Sequence, residues 1–277
     1  MFGVSGRFPP LYAGCVMMGQ ALGGVLPAAA AILMISFDVE PKFLGPACFG
    51  VVDLLLLIAF ICERYLSKSK FFLYYAEGKG NVITGDTSDH DREVDQLCYK
   101  DILRKSWIYL LGGWLIYGTT LSIMPALATI VESVQKTKWS EKYFTPVLCV
   151  LLFNVSDLTG RTLATMIQLP GRTRTGKAIY LTFQLLRLSF IPLFMYCNAG
   201  PDLRTLPVIF QSDAVFCCLI VLLGLSVGYI GNLTLIHAPK TSDDAESQEA
   251  TSLLLTSCFV LGQATGSFGS YFIMKSL

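Results

Sequence analysis

Charge is scarce in this chain. Only 15% of its 277 residues are Asp, Glu, Lys or Arg, against roughly 25% in soluble domains, while 53% are hydrophobic. That shortage excludes a soluble globular protein and leaves an integral membrane protein. A net charge of +1 argues against a nucleic-acid footprint, which would need Lys and Arg clustered on a folded face. Histidine is scarcer still: His90 and His237 are the only two, and both fall in polar connections, which removes HExxH chemistry and any His-rich metal site. The nine cysteines show no CxxC spacing and lie mostly in apolar runs, so they read as small buried hydrophobes without a disulfide framework. No cofactor or metal is implied. Residues 1–7 lack the basic region and cleavage site of a signal peptide, so the chain reads as starting near the end of something else.

Long apolar runs are what the chain has in abundance. Seven stretches, 9–36, 43–65, 106–131, 144–168, 178–198, 212–236 and 250–274, are long and apolar enough to span a bilayer. The expected fold is all-α, a bundle of about seven transmembrane helices. Between the second and third lies the one sizeable polar region, with the acidic run Asp86, Asp89, Asp91, Glu93 and Asp95, which divides the chain into 1–65, a loop at 66–105, and 106–277. Of the 21 Lys and Arg residues, 13 fall in connections on the side of that loop and 6 on the other, with Arg161 and Arg187 inside spans. Positive charge stays in the cytoplasm, so the loop is expected inside and the C-terminus outside.

Polar residues within the spans need a reason. In 150–172, Asn154, Asp157, Arg161 and Gln168 lie within roughly 60° of one another on a helix. Asp or Arg at mid-membrane costs about 2.5–3.5 kcal/mol on an insertion scale. Asp157 and Arg161, four apart with the acid first, can pair and still offer hydrogen bonds inward. They serve either a ligand or as glue between helices. Gln20, in a span whose Gly19, Gly23 and Gly24 suit close packing, carries the same ambiguity. Asp53 is neutral, paired across helices, or turned to a cavity. Arg187 shares a face with Gln184 ahead of a kink at Pro192. Trp107, Tyr109, Trp114 and Tyr117 read as an interfacial belt, and the small residues around Gln263 as a packing face. The sequons at Asn154 and Asn232 fall in or near the membrane and are expected to stay unused.

Several ordered segments resemble the equilibrative nucleoside transporter family. FNVSDLTGR (153–161) resembles that family's FN-x-x-D-x-x-GR signature and is followed by the turn LPGR (169–172). RLSFIPLFMYCN (187–198) is similar to its Arg-x-x-Phe-x-Pro helix ending in Cys-Asn. FPPLYAGCVMMGQALGG (8–24) resembles its Pro-x-x-Tyr and Met-x-Gly-Gln segment, and GYIGNLTLIHAPK (228–240) its Gly-Tyr to Ala-Pro-Lys segment.

The resemblance implies a major-facilitator-like bundle of eleven spans with a long cytoplasmic loop after the sixth. This chain then corresponds to the C-terminal part, without the first four spans, and such a piece is expected to transport little by itself. The implied activity is facilitative nucleoside transport, with nucleobases as further cargo, and no enzyme chemistry. Asp157 and Arg161 are implied to hold the ribose hydroxyls and Gln20 to contact the base, with Asn154 beside them. Arg187 and Asp53 take structural or gating roles. Gln263 stands where the family pattern has a more apolar residue, which leaves base preference open. The partners implied are a neutral nucleoside and the lipid bilayer, with no obligate protein partner, and the location is the plasma membrane in preference to an endolysosomal one. A seven-helix receptor and a non-transporting fragment are the alternatives. The receptor is opposed by the orientation and by the lack of Asp/Glu-Arg-Tyr and Asn-Pro-x-x-Tyr motifs.

Overall fold

A computed structural model describes residues 10–76, 99–200, 204, 206–242 and 244–277. Phe8 and Pro9 of the first motif, His90, Cys98 and the acidic run lie outside the described residues. Seven principal helices carry the fold: α1 (Pro10–Ser36), α2 (Pro41–Leu66), α3 (Tyr99–Ile123), α4 (Leu152–Met166), α5 (Arg174–Arg187), α6 (Asp213–His237) and α7 (Ala245–Lys275). Six described helices are long and apolar enough to cross a membrane. Of the seven expected spans, the last is the one that falls short. At 31 residues α7 has the length, but its Ser, Thr, Gly and Gln content dilutes its apolarity. Residues 66–105, expected as a loop, begin with the short helix Lys70–Ala76 and end inside α3.

Local chemistry explains several boundaries. Thr173 caps α5, its Oγ1 accepting from the Gly176 amide at 3.1 Å, and Asp244 caps α7, accepting from the Ser247 amide at 2.7 Å. Pro192 lacks an N–H and its ring opposes the carbonyl four residues back, at Leu188. The helix breaks there as expected, between Arg187 and the short helix Phe190–Met195. A wide-wound π-helical stretch, Phe144–Leu151, runs directly into α4.

Packing is closest in two pairs, α4 with α6 and α3 with α7. Both rest on glycines spaced four apart, Gly224 and Gly228 on α6 and Gly262 and Gly266 on α7. Between membrane helices, where lipid is as apolar as Leu, association depends on such close approach. A methyl group at Gly228 would collide with the Asp157 carbonyl, and one at Gly262 with that of Trp114. The packing face expected near Gln263 is therefore present, although Gln263 itself points out, exposed. α1 leans on α4, and α2 packs chiefly on α1, leaving Phe43, Phe49, Leu56 and Phe60 exposed along a helix of membrane length.

The aromatic belt expected on α3 is mostly not a belt. Trp107 is exposed, but Tyr109 and Tyr117 are buried, and the Trp114 indole donates across to Thr265 Oγ1 at 3.0 Å. Helical spacing turns these side chains inward onto α5, α6 and α7, where Tyr109 meets Tyr180 and Tyr117 meets Phe259. The cysteines divide as well. Cys149 and Cys197 are buried, whereas Cys15, Cys62 and Cys218 are exposed on the outer faces of their helices. His237, expected in a polar connection, is instead the last residue of α6 and is buried.

Candidate functional site

The polar stripe of α4 faces α1. Asp157 and Arg161 are each 6% exposed, so the ion pair is withdrawn from lipid and water alike. Arg161 Nε donates to both Asp157 oxygens at 3.1 and 3.0 Å, and Nη2 lies 2.9 Å from Oδ2. This is the i,i+4 pairing that the spacing predicts. Nη1 stays available to another helix. It donates to the Met17 carbonyl at 3.0 Å and to Gln20 Oε1 at 3.0 Å, both on α1. One guanidinium therefore ties a carboxylate on its own helix to an amide and a carbonyl on another.

Neighbouring residues complete the site. Asn154 donates to the Val150 carbonyl at 2.7 Å, and its Oδ1 lies against Gly24, one turn along α1 from Gln20. The Tyr117 phenol on α3 lies against Arg161. From α6, Asn232 Nδ2 donates to the Arg161 carbonyl at 2.7 Å and to Thr165 Oγ1 at 2.9 Å. Asn232 is fully buried, so its sequon is inaccessible to a glycosylating enzyme.

Not every expected residue joins them. α4 ends at Met166, and an extended Ile167 carries Gln168 off the helical stripe. The Tyr229 hydroxyl secures that exit, donating to the carbonyls of Ile167 and Leu169 at 2.9 and 2.6 Å. Asp53 and Gln263 are exposed on α2 and α7, away from the ion pair. Arg187 is buried elsewhere, between α5, α3 and α6. It donates to Thr120 Oγ1 at 2.8 Å and to Ser226 Oγ, and its Nε has no partner. Among the described residues no carboxylate lies within ion-pair distance of it.

Met17, Tyr117 and Asn232 escaped sequence reasoning. Met17 meets Arg161 through its backbone carbonyl, with its sulfur as a weaker acceptor at 3.6 Å, and a backbone contact is one that no side-chain pattern reveals. Tyr117 looks like a belt residue, and Asn232 like a stray sequon. The one available signal was the glycine pair 224 and 228, which fixes α6 against α4 and so brings Asn232 to Arg161.

Comparison with known proteins places this chain in a family. The sequence profile described as nucleoside transporter matches residues 1–275. The chain belongs to that family. It is 29% identical to equilibrative nucleoside transporter 2 of Rattus norvegicus over 316 residues, which cover the whole chain and 68% of the relative. Equilibrative nucleoside transporter 1 of Homo sapiens is 28% identical, with 98% of the chain and 64% of the relative covered. A more distant relative, equilibrative nucleotide transporter 1 of Arabidopsis thaliana, is 27% identical over 98% of the chain and 59% of its own length. The chain thus spans about two thirds of the length of such relatives. It is a multi-pass membrane protein of a transporter family and not an enzyme.

Proposed function

We propose that this chain carries nucleosides across a membrane by facilitative alternating access, with the substrate held between α1 and α4. The observation that carries the reading is the buried Asp157–Arg161 pair, whose spare guanidinium N–H reaches across to Gln20 and the Met17 carbonyl on α1. Ribose offers vicinal hydroxyls that accept from Arg161 and donate to Asp157. Charged hydrogen bonds of this kind contribute about 1.5–3 kcal/mol each. Entering substrate exchanges its hydroxyls for the α1 contacts of Arg161, releasing Gln20 to meet the base. Substrate must also leave, which suits an affinity of about micromolar to millimolar, or about −8 to −4 kcal/mol.

Segments 1–65 and 106–277 form parts of two halves that rock about this contact, with 66–105 as their cytoplasmic connection. Arg187, clasping α3, α5 and α6, is structural or gating, and Asn154 lines the site beside Gly24. Nucleobases are further cargo, the plasma membrane is the location, and the C-terminus is outside. Because relatives carry more chain, transport by these 277 residues alone is expected to be weak.

The test measures uridine and adenosine uptake by the chain and by a chimera in which residues 9–277 replace the matching part of a full-length relative. Asp157→Asn and Arg161→Ala should each abolish chimera uptake while surface biotinylation shows normal insertion. Retained uptake in either variant would return the pair to a structural role. Robust uptake by the chain alone would show that these helices suffice.

A further inference from the structure

A cationic hollow lies outside the ion-pair site, at the end of the bundle that carries the start of α3, the start of α5 and the end of α6. It is an open hollow of about 810 Å³, lined by Arg104, Lys105, Arg172, Lys177 and Lys240, with Trp107 beside them. None of these five cations has a carboxylate within ion-pair distance among the described residues. Their existing contacts are few: Arg172 donates to the Lys240 carbonyl at 2.9 Å, and the Lys177 ammonium lies 5.9 Å from the centre of the Tyr109 ring. Burial and, after it, the adjacent Arg172 hold the pKa of the Lys240 ammonium below its ordinary value. Lys105 acts electrostatically on Asp244, whose carboxylate is also engaged by the Ser247 amide. Beneath lies buried His237, with neither ring nitrogen hydrogen-bonded.

Five converging cations with no carboxylate at ion-pair distance among the described residues make a site for more than one negative charge. A phosphate monoester carries about −1.5 to −2 at neutral pH, with three acceptor oxygens, whereas a carboxylate carries one charge. The Leu169 to Thr173 turn borders a second cavity too, of about 660 Å³, lined by Leu169, Pro170, Phe183, Leu222 and other apolar residues of α4, α5 and α6. Cationic and apolar space thus adjoin one turn, which matches a ligand with an anionic head and a hydrocarbon tail. Basic pockets between membrane helices on the cytoplasmic side suit such headgroups, and the exposed Trp107 sits where an interfacial aromatic would.

We infer that this pocket binds phosphate monoester groups, presented by a phosphorylated inositol lipid of the cytoplasmic leaflet. The leaflet rests on the orientation proposed above, whereas the phosphate chemistry does not, and binding is read without transport.

The purified 277-residue chain in detergent is titrated with dioctanoyl phosphatidylinositol bisphosphate. Dioctanoyl phosphatidylserine, inositol trisphosphate and inorganic phosphate serve as competitors. Saturable binding of the inositol lipid is expected, at least tenfold tighter than phosphatidylserine or either soluble phosphate. The variant Arg104→Gln/Lys105→Gln/Lys177→Gln, whose side chains donate no hydrogen bond among the described residues, should weaken it at least tenfold with an unchanged melting temperature. Equal binding of phosphatidylserine, or full binding by a folded triple variant, overturns the proposal. Should inositol trisphosphate bind as tightly as the lipid, the phosphate site stands and its lipid source is overturned. The competition arms use the unaltered chain, so a triple variant that fails to fold leaves the proposal falsifiable.

Discussion

Arg161 and Arg187 are equally withdrawn from solvent, at 6% and 3% exposed, yet they are held in opposite ways. Arg161 is neutralised by a carboxylate one turn away on its own helix, and its remaining donor points at another helix. Arg187 has two hydroxyls, an unpaired Nε and, among the described residues, no carboxylate at ion-pair distance. A buried cation beside a fixed anion can exchange a neutral partner at little cost, because its charge stays compensated. A buried cation held by hydroxyls alone has no such freedom, since losing either leaves the charge less solvated. The contrast separates a residue suited to trading partners with substrate from one suited to holding three helices in register.

The largest effect should come from breaking the pair unevenly. Asp157→Leu or Arg161→Leu alone strands a buried charge and should cost about 3–5 kcal/mol, read as a lowered melting temperature in detergent. Asp157→Leu/Arg161→Leu together strands none and should recover most of that stability. Uptake by the chimera should stay absent in all three. A double variant that is both stable and active would reduce the pair to glue and erase its difference from Arg187.

A smaller effect is expected at Arg187. Thr120→Val keeps the shape of the side chain but removes the acceptor 2.8 Å from Nη2, at a cost of about 1.5–3 kcal/mol for a hydrogen bond to a charged group. The KM for uridine should change less than twofold, because the contact lies outside the ion-pair site. A KM shift as large as the stability loss implies would place Arg187 at the substrate.

Much of this contrast was legible in the sequence, and the part that was not has a physical cause. Periodicity is local, so it found the stripe on α4, the i,i+4 pair, the break at Pro192 and the helices themselves. It misplaced Gln168 because the stripe was extended past the end of α4, where Ile167 turns to extended backbone. Which helix the stripe meets is not local. It follows from glycines 224 and 228 setting α6 against α4, and from α1 closing over Met17 and Gln20, relations spread over more than 200 residues. The belt reading of Tyr109 and Tyr117 failed for the same reason. Tyr suits both a membrane interface and a buried, hydrogen-bonded core, and only the neighbours of α3 decide between them.

The smallest stability effect, and the sharpest on the comparison, is expected at Gln20. Gln20→Leu removes one acceptor from Arg161, but Asp157 and the Met17 carbonyl remain, so the stability loss should be about 1 kcal/mol or less. That contrasts with Thr120→Val, where a single acceptor is a large share of what Arg187 has. If Gln20 also meets the base, the KM of the chimera for uridine should rise about tenfold, equivalent to about 1.4 kcal/mol, while maximal rate holds. A large stability loss with unchanged KM would instead make Gln20 a structural tie between α1 and α4, and Arg161 would then resemble Arg187 after all.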